Sequence, residues 1–110
     1  MIRRGDLVRV SLRGDYGKPR PALVVQSDFL SELDSIIICP ITSDLRKALF
    51  RVTVDPTTEN HLEKLSQVMV DKLSTLPRHK VSSPFGQLSA EKLKEVEVAI
   101  LLVTGVFAGP

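Results

Sequence analysis

Gly17-Lys18-Pro19-Arg20-Pro21-Ala22-Leu23-Val24-Val25-Gln26 leads from a polar turn into an unbroken apolar run. Proline on each side of Arg20 fixes φ at about −65° and pushes the preceding residue toward extended backbone. The stretch therefore reads as a strand entered through an arginine that is held in place. The nearly continuous apolar run from Pro21 to Gln26 suits a central strand with neighbours on both sides. A guanidinium held at a strand entrance is well placed to meet a phosphate, which its planar fork grips through two parallel hydrogen bonds.

Working outward, Asp6 to Leu12 alternates apolar and polar residues as a half-buried strand does, and Arg13 to Pro19 is a polar, glycine-containing loop. After the central run, Asp28 to Leu33 has room for one helical turn, capped by Ser27 or Asp28. Ser35 to Pro40 is a β-branched strand, with Pro40 expected to mark its departure from the sheet. Leu49 to Val54 alternates again, Pro56 to Leu65 is a turn-rich connection, and Ser66 to Lys72 and Lys80 to Gln87 are further short strands. Arg78 and His79 fall between these last two.

Residues 90–103 have helical periodicity, with Leu93, Val96, Ile100 and Val103 as the expected core stripe. Ser89 is the expected N-cap, Glu91 suits the positive end of the helix dipole, and Gly105 ends the helix. Val98, Leu101 and Leu102 widen the apolar face, which reads as a well-buried helix in preference to a dimer contact. Five or six short strands followed by a helix indicate a mainly β, α+β chain: a small barrel or strongly bent sheet with the helix packed against it. Residues 1–110 read as one domain, without repeat, low-complexity tract or dividing linker.

Composition narrows the function classes. Cys39 is alone, so no internal disulfide forms, and a reducing, cytoplasmic location is expected. No apolar run reaches the roughly 20 residues that span a bilayer, so no membrane partner is expected. With no Trp, one Tyr and four Phe, a platform stacking several bases at once is disfavoured, as is an aromatic-lined peptide groove. The net charge of +2 hides an asymmetry: residues 1–51 hold nine Lys/Arg against six Asp/Glu, residues 52–110 six against seven. Two histidines and one cysteine fall short of a zinc-ligand set, and no Gly-rich phosphate loop or Gly-x-Ser-x-Gly elbow is present. No metal or other cofactor is expected. His61 and His79 lie in polar connections and read as exposed, non-catalytic side chains.

What remains is polar chemistry at strand ends: Asp15, Arg20, Thr42 with Ser43, and Asp71 after Val68-Met69-Val70. In a small barrel, such ends gather at one rim. Singly, each has an ordinary structural reading, Thr42 and Ser43 as caps of a turn and Asp15 as a turn former.

In this order the residues resemble a known family. Arg4-Gly5-Asp6-Leu7-Val8, Lys18-Pro19-Arg20-Pro21-Ala22-Leu23-Val24-Val25-Gln26, Pro40-Ile41-Thr42-Ser43, Gln67-Val68-Met69-Val70-Asp71 and Phe85-Gly86-Gln87-Leu88-Ser89 are similar to the MazF/PemK toxin–antitoxin endoribonucleases. The resemblance runs from about Arg4 to Gly105. It implies an SH3-like β-barrel homodimer, a cognate antitoxin protein as partner, and metal-independent cleavage of single-stranded RNA. The implied products are a 2′,3′-cyclic phosphate and a 5′-hydroxyl, and the implied outcome is growth inhibition.

The family's essential arginine falls on Arg20 and its essential threonine on Thr42. Arg20 cannot act as a base, because a guanidinium stays protonated, so its expected role is to bind and neutralise the scissile phosphate. Thr42 adds a neutral donor. Asp15 is the candidate base, and Asp71 is expected to orient Arg20 or touch a base edge. Lys18, Ser43, Arg46 and Arg51 complete the expected RNA-binding set. Where some relatives carry an arginine and a histidine, this chain has Met69 and Pro19. A CcdB-like gyrase poison has the same fold without nuclease activity and no need of Arg20 together with Thr42, so the pair favours the nuclease.

Overall fold

The computed structural model describes residues 1–12 and 18–108. Seven strands are present among them: β1 (Asp6–Ser11), β2 (Pro19–Val24), β3 (Ser35–Thr42), β4 (Arg51–Val54), β5 (Ser66–Met69), β6 (Ser74–Pro77) and β7 (Gly86–Gln87). One α-helix, α1 (Ala90–Val103), follows them. All pairings are antiparallel, in the order β4-β5-β3-β2-β1-β7, with β6 also on β3. A bridge between Val10 and Val81 helps the sheet curl into a half-barrel. No described helix is long and apolar enough to cross a membrane.

Two apolar clusters lie in the fold. Val8, Val10, Ala22, Val24, Ile36 and Ile38 form one. Leu7, Leu23, Cys39, Ile41, Val52 and Val68 meet Val96 and Ala99 of α1 in the other. Neighbouring residues of β1 and β2 thus feed different clusters, as the period of two in a strand requires. This is why Leu7-Val8 and Ala22-Leu23-Val24 are all buried and read as continuous apolar sequence.

Strand β3 departs from expectation at Pro40. The strand does not leave the sheet there: Pro40 pairs with Ala22, and β3 continues to Thr42. On its other edge β3 pairs with β6 through Ser35–Ile38 and with β5 through Ile41 and Thr42. Pro40 sits in the gap between these partners, where a missing N–H interrupts no ladder. Strand β6 itself was not expected, because Ser74-Thr75-Leu76-Pro77 has little apolar alternation and borrows its order from β3.

Expected strands were also shortened. Ser66–Lys72 ends at Met69 and turns through a 3₁₀ helix at Val70–Lys72. Of Lys80–Gln87, only Val81 and Gly86–Gln87 pair, after a 3₁₀ turn at Arg78–Lys80. Asp28–Leu30 forms the expected short turn, with the Ser27 side chain accepting from the Phe29 N–H. Helix α1 begins at its expected cap, Ser89, whose side chain accepts from the Lys92 N–H, and Gly105 ends it at φ 76°. Its buried residues are Val96 and Ala99, flanked by half-buried Leu93 and Ile100. Val103, expected in the core, is exposed, as are Val98, Leu101 and Leu102, so the helix is less buried than its composition suggested.

Candidate active site

The site arises where β2 and β3 part. Their ladder pairs Val24 with Ile38, Leu23 with Cys39 and Ala22 with Pro40, and ends there. Beyond that last pair, two residues further along each strand, come Arg20 of β2 and Thr42 of β3. Pro21 and Ile41 lie between, and neither strand pairs with the other over this stretch. Strand β2 is still paired with β1, Val10 opposite Arg20, and β3 with β5, Thr42 opposite Gln67. Each side of the split is therefore anchored by its outer neighbour. A cavity of about 570 Å³ opens between them, and both Arg20 and Thr42 line it.

Lys18 and Ser43 line the same cavity. Four sequence-predicted residues are thus brought together although separated along the chain. Arg9, Lys64, His61 and Glu63 also line it, over apolar ground that includes Pro21, Pro40 and Phe85. The Arg9 guanidinium lies 4.5 Å from the centre of the Phe85 ring, a cation–π contact. Among the described residues, four cations against one carboxylate make a wall suited to a polyanion, while the proline and phenylalanine surfaces suit unstacked bases.

Thr42 has a structural task. Its Oγ1 accepts the Asp44 N–H at 3.0 Å, the turn cap that its sequence position allowed. That bond uses a lone pair, and the hydroxyl hydrogen is a separate donor. Arg46 lies outside the cavity lining. Its guanidinium pairs with Asp44 at 3.0 Å, and its backbone is clasped by buried Gln67, which accepts from its N–H at 2.9 Å and donates to its carbonyl at 2.8 Å.

Arg51 and Asp71 form their own pair. Arg51 Nε donates to Asp71 Oδ1 at 3.3 Å and Nη2 to Oδ2 at 3.5 Å, beside a second depression lined by Leu49, Val98 and Leu102. The carboxylate of Asp71 is therefore engaged by Arg51. Asp15, the expected base, lies outside the described residues. Burial, and after it the Asp71 carboxylate, pushes the Cys39 thiol up from 9.0 to about 12, so it is a core group and no nucleophile.

Sequence reasoning did not place Arg9, His61, Lys64 or Phe85 at this cavity, although His61 is exposed as expected. Arg9 had a usable signal, since an exposed position in β1 opposite Pro21 must lie next to the arginine strand. His61 had none in its local sequence, because only the folding of the 55–65 connection carries it to the cavity.

Comparison with known proteins places this architecture. A family model described as PemK-like, MazF-like toxin of type II toxin–antitoxin system matches residues 3–104. The chain belongs to the PemK/MazF toxin family. It is 35% identical over 107 residues to a probable endoribonuclease MazF of Mycolicibacterium smegmatis, covering 96% of this chain and 98% of that one. Among solved structures, the Mycobacterium tuberculosis toxin MazF-mt6 matches with a TM-score of 0.79 at 25% identity, over 91% of this chain and 96% of that one. A mycobacterial endoribonuclease solved in complex with its cognate antitoxin shares the fold along the full length of both chains, with a TM-score of 0.85 at 17% identity.

Proposed function

We propose that this PemK/MazF family toxin is a metal-independent endoribonuclease that cuts single-stranded RNA within the β2–β3 cavity. The observation that carries the reading is that Arg20 and Thr42, distant in sequence and both just beyond the end of the β2–β3 ladder, line a common cavity. The 2′-oxygen attacks its own phosphorus, the 5′-oxygen leaves, and the crowded phosphorane gathers negative charge on its non-bridging oxygens. Arg20 meets that charge with a fixed cation and Thr42 with a hydroxyl donor, and donors set in advance are worth about 10²–10³ in rate each. Lys18 and Ser43 hold the neighbouring backbone. Arg46, Arg51 and Asp71 belong to the same reading only as flanking contacts, since none of them lines the cavity.

The chain's relatives support the partners too. Mycobacterial and Deinococcus radiodurans toxins of this fold have been solved with their antitoxins. In our reading a cognate antitoxin binds this chain, masks the cationic wall, and meets it as a homodimer. The decisive experiment incubates purified protein with RNA and EDTA, alongside Arg20→Ala. Cleavage by the wild type that is lost at least 10²-fold in the variant is expected. Equal cleavage by the two proteins, or none by the wild type, defeats the reading.

A further inference from the structure

His61 is the non-glycine residue with a left-handed backbone among the described residues, at φ 55°. Such a conformation is uncommon outside glycine and persists where the surroundings enforce it. Here buried Asn60 enforces it. Its Oδ1 accepts the N–H groups of Thr57 and Leu62, both at 2.9 Å, and its Nδ2 donates to the Asp55 carbonyl at 2.8 Å. The His61 N–H itself donates to the Thr57 carbonyl at 3.1 Å. The Asn60 carbonyl also rests against Gly86, where a Cβ would overlap it. The chain is thus pinned on both sides of an exposed imidazole that lines the same cavity as Arg20 and Thr42.

Attack by a 2′-hydroxyl needs a proton acceptor as well as charge stabilisation. The cavity is rich in donors, with Arg9, Lys18, Arg20 and Lys64, and its Thr42 and Ser43 hydroxyls are too weakly basic to serve. Acceptors among its described residues are His61 and Glu63. We propose that His61 is the general base of the cleavage, an assignment that rests on the nuclease reading above. An unprotonated ring nitrogen takes the 2′-hydroxyl proton as O2′ bonds to phosphorus and the bond from phosphorus to O5′ breaks. The 5′-oxygen leaves against the cationic wall and takes a proton from water, and the imidazolium returns its own to water. The balance is a transesterification with no other reactant.

Among the described residues, the charged groups that share the cavity with the imidazole are Arg9 from β1, Lys18 and Arg20 at β2, and Glu63 and Lys64 on its own connection. Arginine, lysine and carboxylate side chains ordinarily keep their charge between about pH 5 and 8, whereas histidine changes its own there. Single-turnover cleavage of an RNA oligonucleotide across that range therefore tests the assignment. His61→Asn tolerates the left-handed backbone but cannot titrate; His61→Gly leaves space for an added base. Both are expected to fall about 10²–10⁴-fold in the cleavage step, with KM and melting temperature little changed. The rise in rate with pH should flatten in both, and imidazole added to the buffer should restore part of the rate to His61→Gly.

Wild-type rates in His61→Asn, or an unchanged pH profile there, overturn the assignment, as does a loss that moves to Glu63→Gln or Asp15→Asn while His61→Asn stays active. If Arg20→Ala also cleaves like the wild type, the nuclease reading has failed. If Arg20→Ala is dead and His61→Asn is not, only the base has been misassigned.

Discussion

In the nuclease reading Thr42 combines a turn cap with a hydroxyl donor, and two substitutions test the pair through separate readouts of activity and stability. Thr42→Ser keeps both the turn cap and the hydroxyl donor, so cleavage within a few-fold of wild type is expected. Thr42→Val keeps the shape and loses both. Cleavage should fall about 10²-fold, and loss of the bond to the Asp44 N–H should cost about 1 kcal/mol in denaturant unfolding. A Thr42→Val protein that is destabilised but fully active would reduce Thr42 to a cap. Cys39 gives a second test at this scale. Its thiol titrates at about 12 in the fold against 9.0 for the free group, so above pH 9 the folded chain holds a proton that the unfolded chain releases. Stability from this source therefore falls as pH rises from 9 toward 12 and is unaffected below it. Native protein should resist thiol reagents at neutral pH and react fully once unfolded.

Among the elements, the split between β2 and β3 shows what sequence could and could not supply. The clamped Arg20 and the apolar run behind it were legible, because proline geometry and strand burial are local rules. So was α1 with its Ser89 cap. The continuation of β3 through Pro40 was not, since its tolerance depends on two other strands stopping short on the far edge. Nor was the arrival of His61, which depends on Asn60 binding backbone groups from Asp55 to Leu62. That connection leans on β7 as well, where the Gln87 N–H donates to the Glu59 carbonyl at 2.9 Å and Gly86 abuts Asn60. Gly86→Ala forces the connection outward. A loss of about 1–3 kcal/mol is expected from overpacking, read as a lower melting temperature. Cleavage should fall more than RNA binding, because the shift moves His61 while Lys18 and Arg20 stay in place. An unchanged melting temperature would show that the connection yields without cost.

At the scale of the whole molecule, the cationic cavity and the exposed apolar face of the helix are lined by different residues. Arg9, Lys18, Arg20 and Lys64 share the cavity, while Arg46 and Arg51 are paired with carboxylates elsewhere. Binding of a non-cleavable RNA should then weaken with salt, with a log–log slope no steeper than about −3 if those four cations make the phosphate contacts. A markedly steeper slope would bring Arg46 and Arg51 back into the groove. Exposed apolar side chains occur at several places, Phe29 and Leu49 among them, and one contiguous run lies on α1 and just beyond it, where Val98, Leu101, Leu102, Val103, Val106 and Phe107 are exposed. Val98 and Leu102 also border the depression of about 490 Å³ that Leu49 and Arg51 share. A helix whose apolar stripe is wider than the sheet beneath it has surface left for a partner. In the homodimer reading that partner is a second copy. Val98→Glu with Leu102→Glu adds two charges to this surface without touching a buried residue, so circular dichroism should report an intact fold. Sedimentation should report a dimer for the wild type and a monomer for the double variant. A variant that sediments as a dimer would move the self-association surface off the helix and leave this patch for the antitoxin.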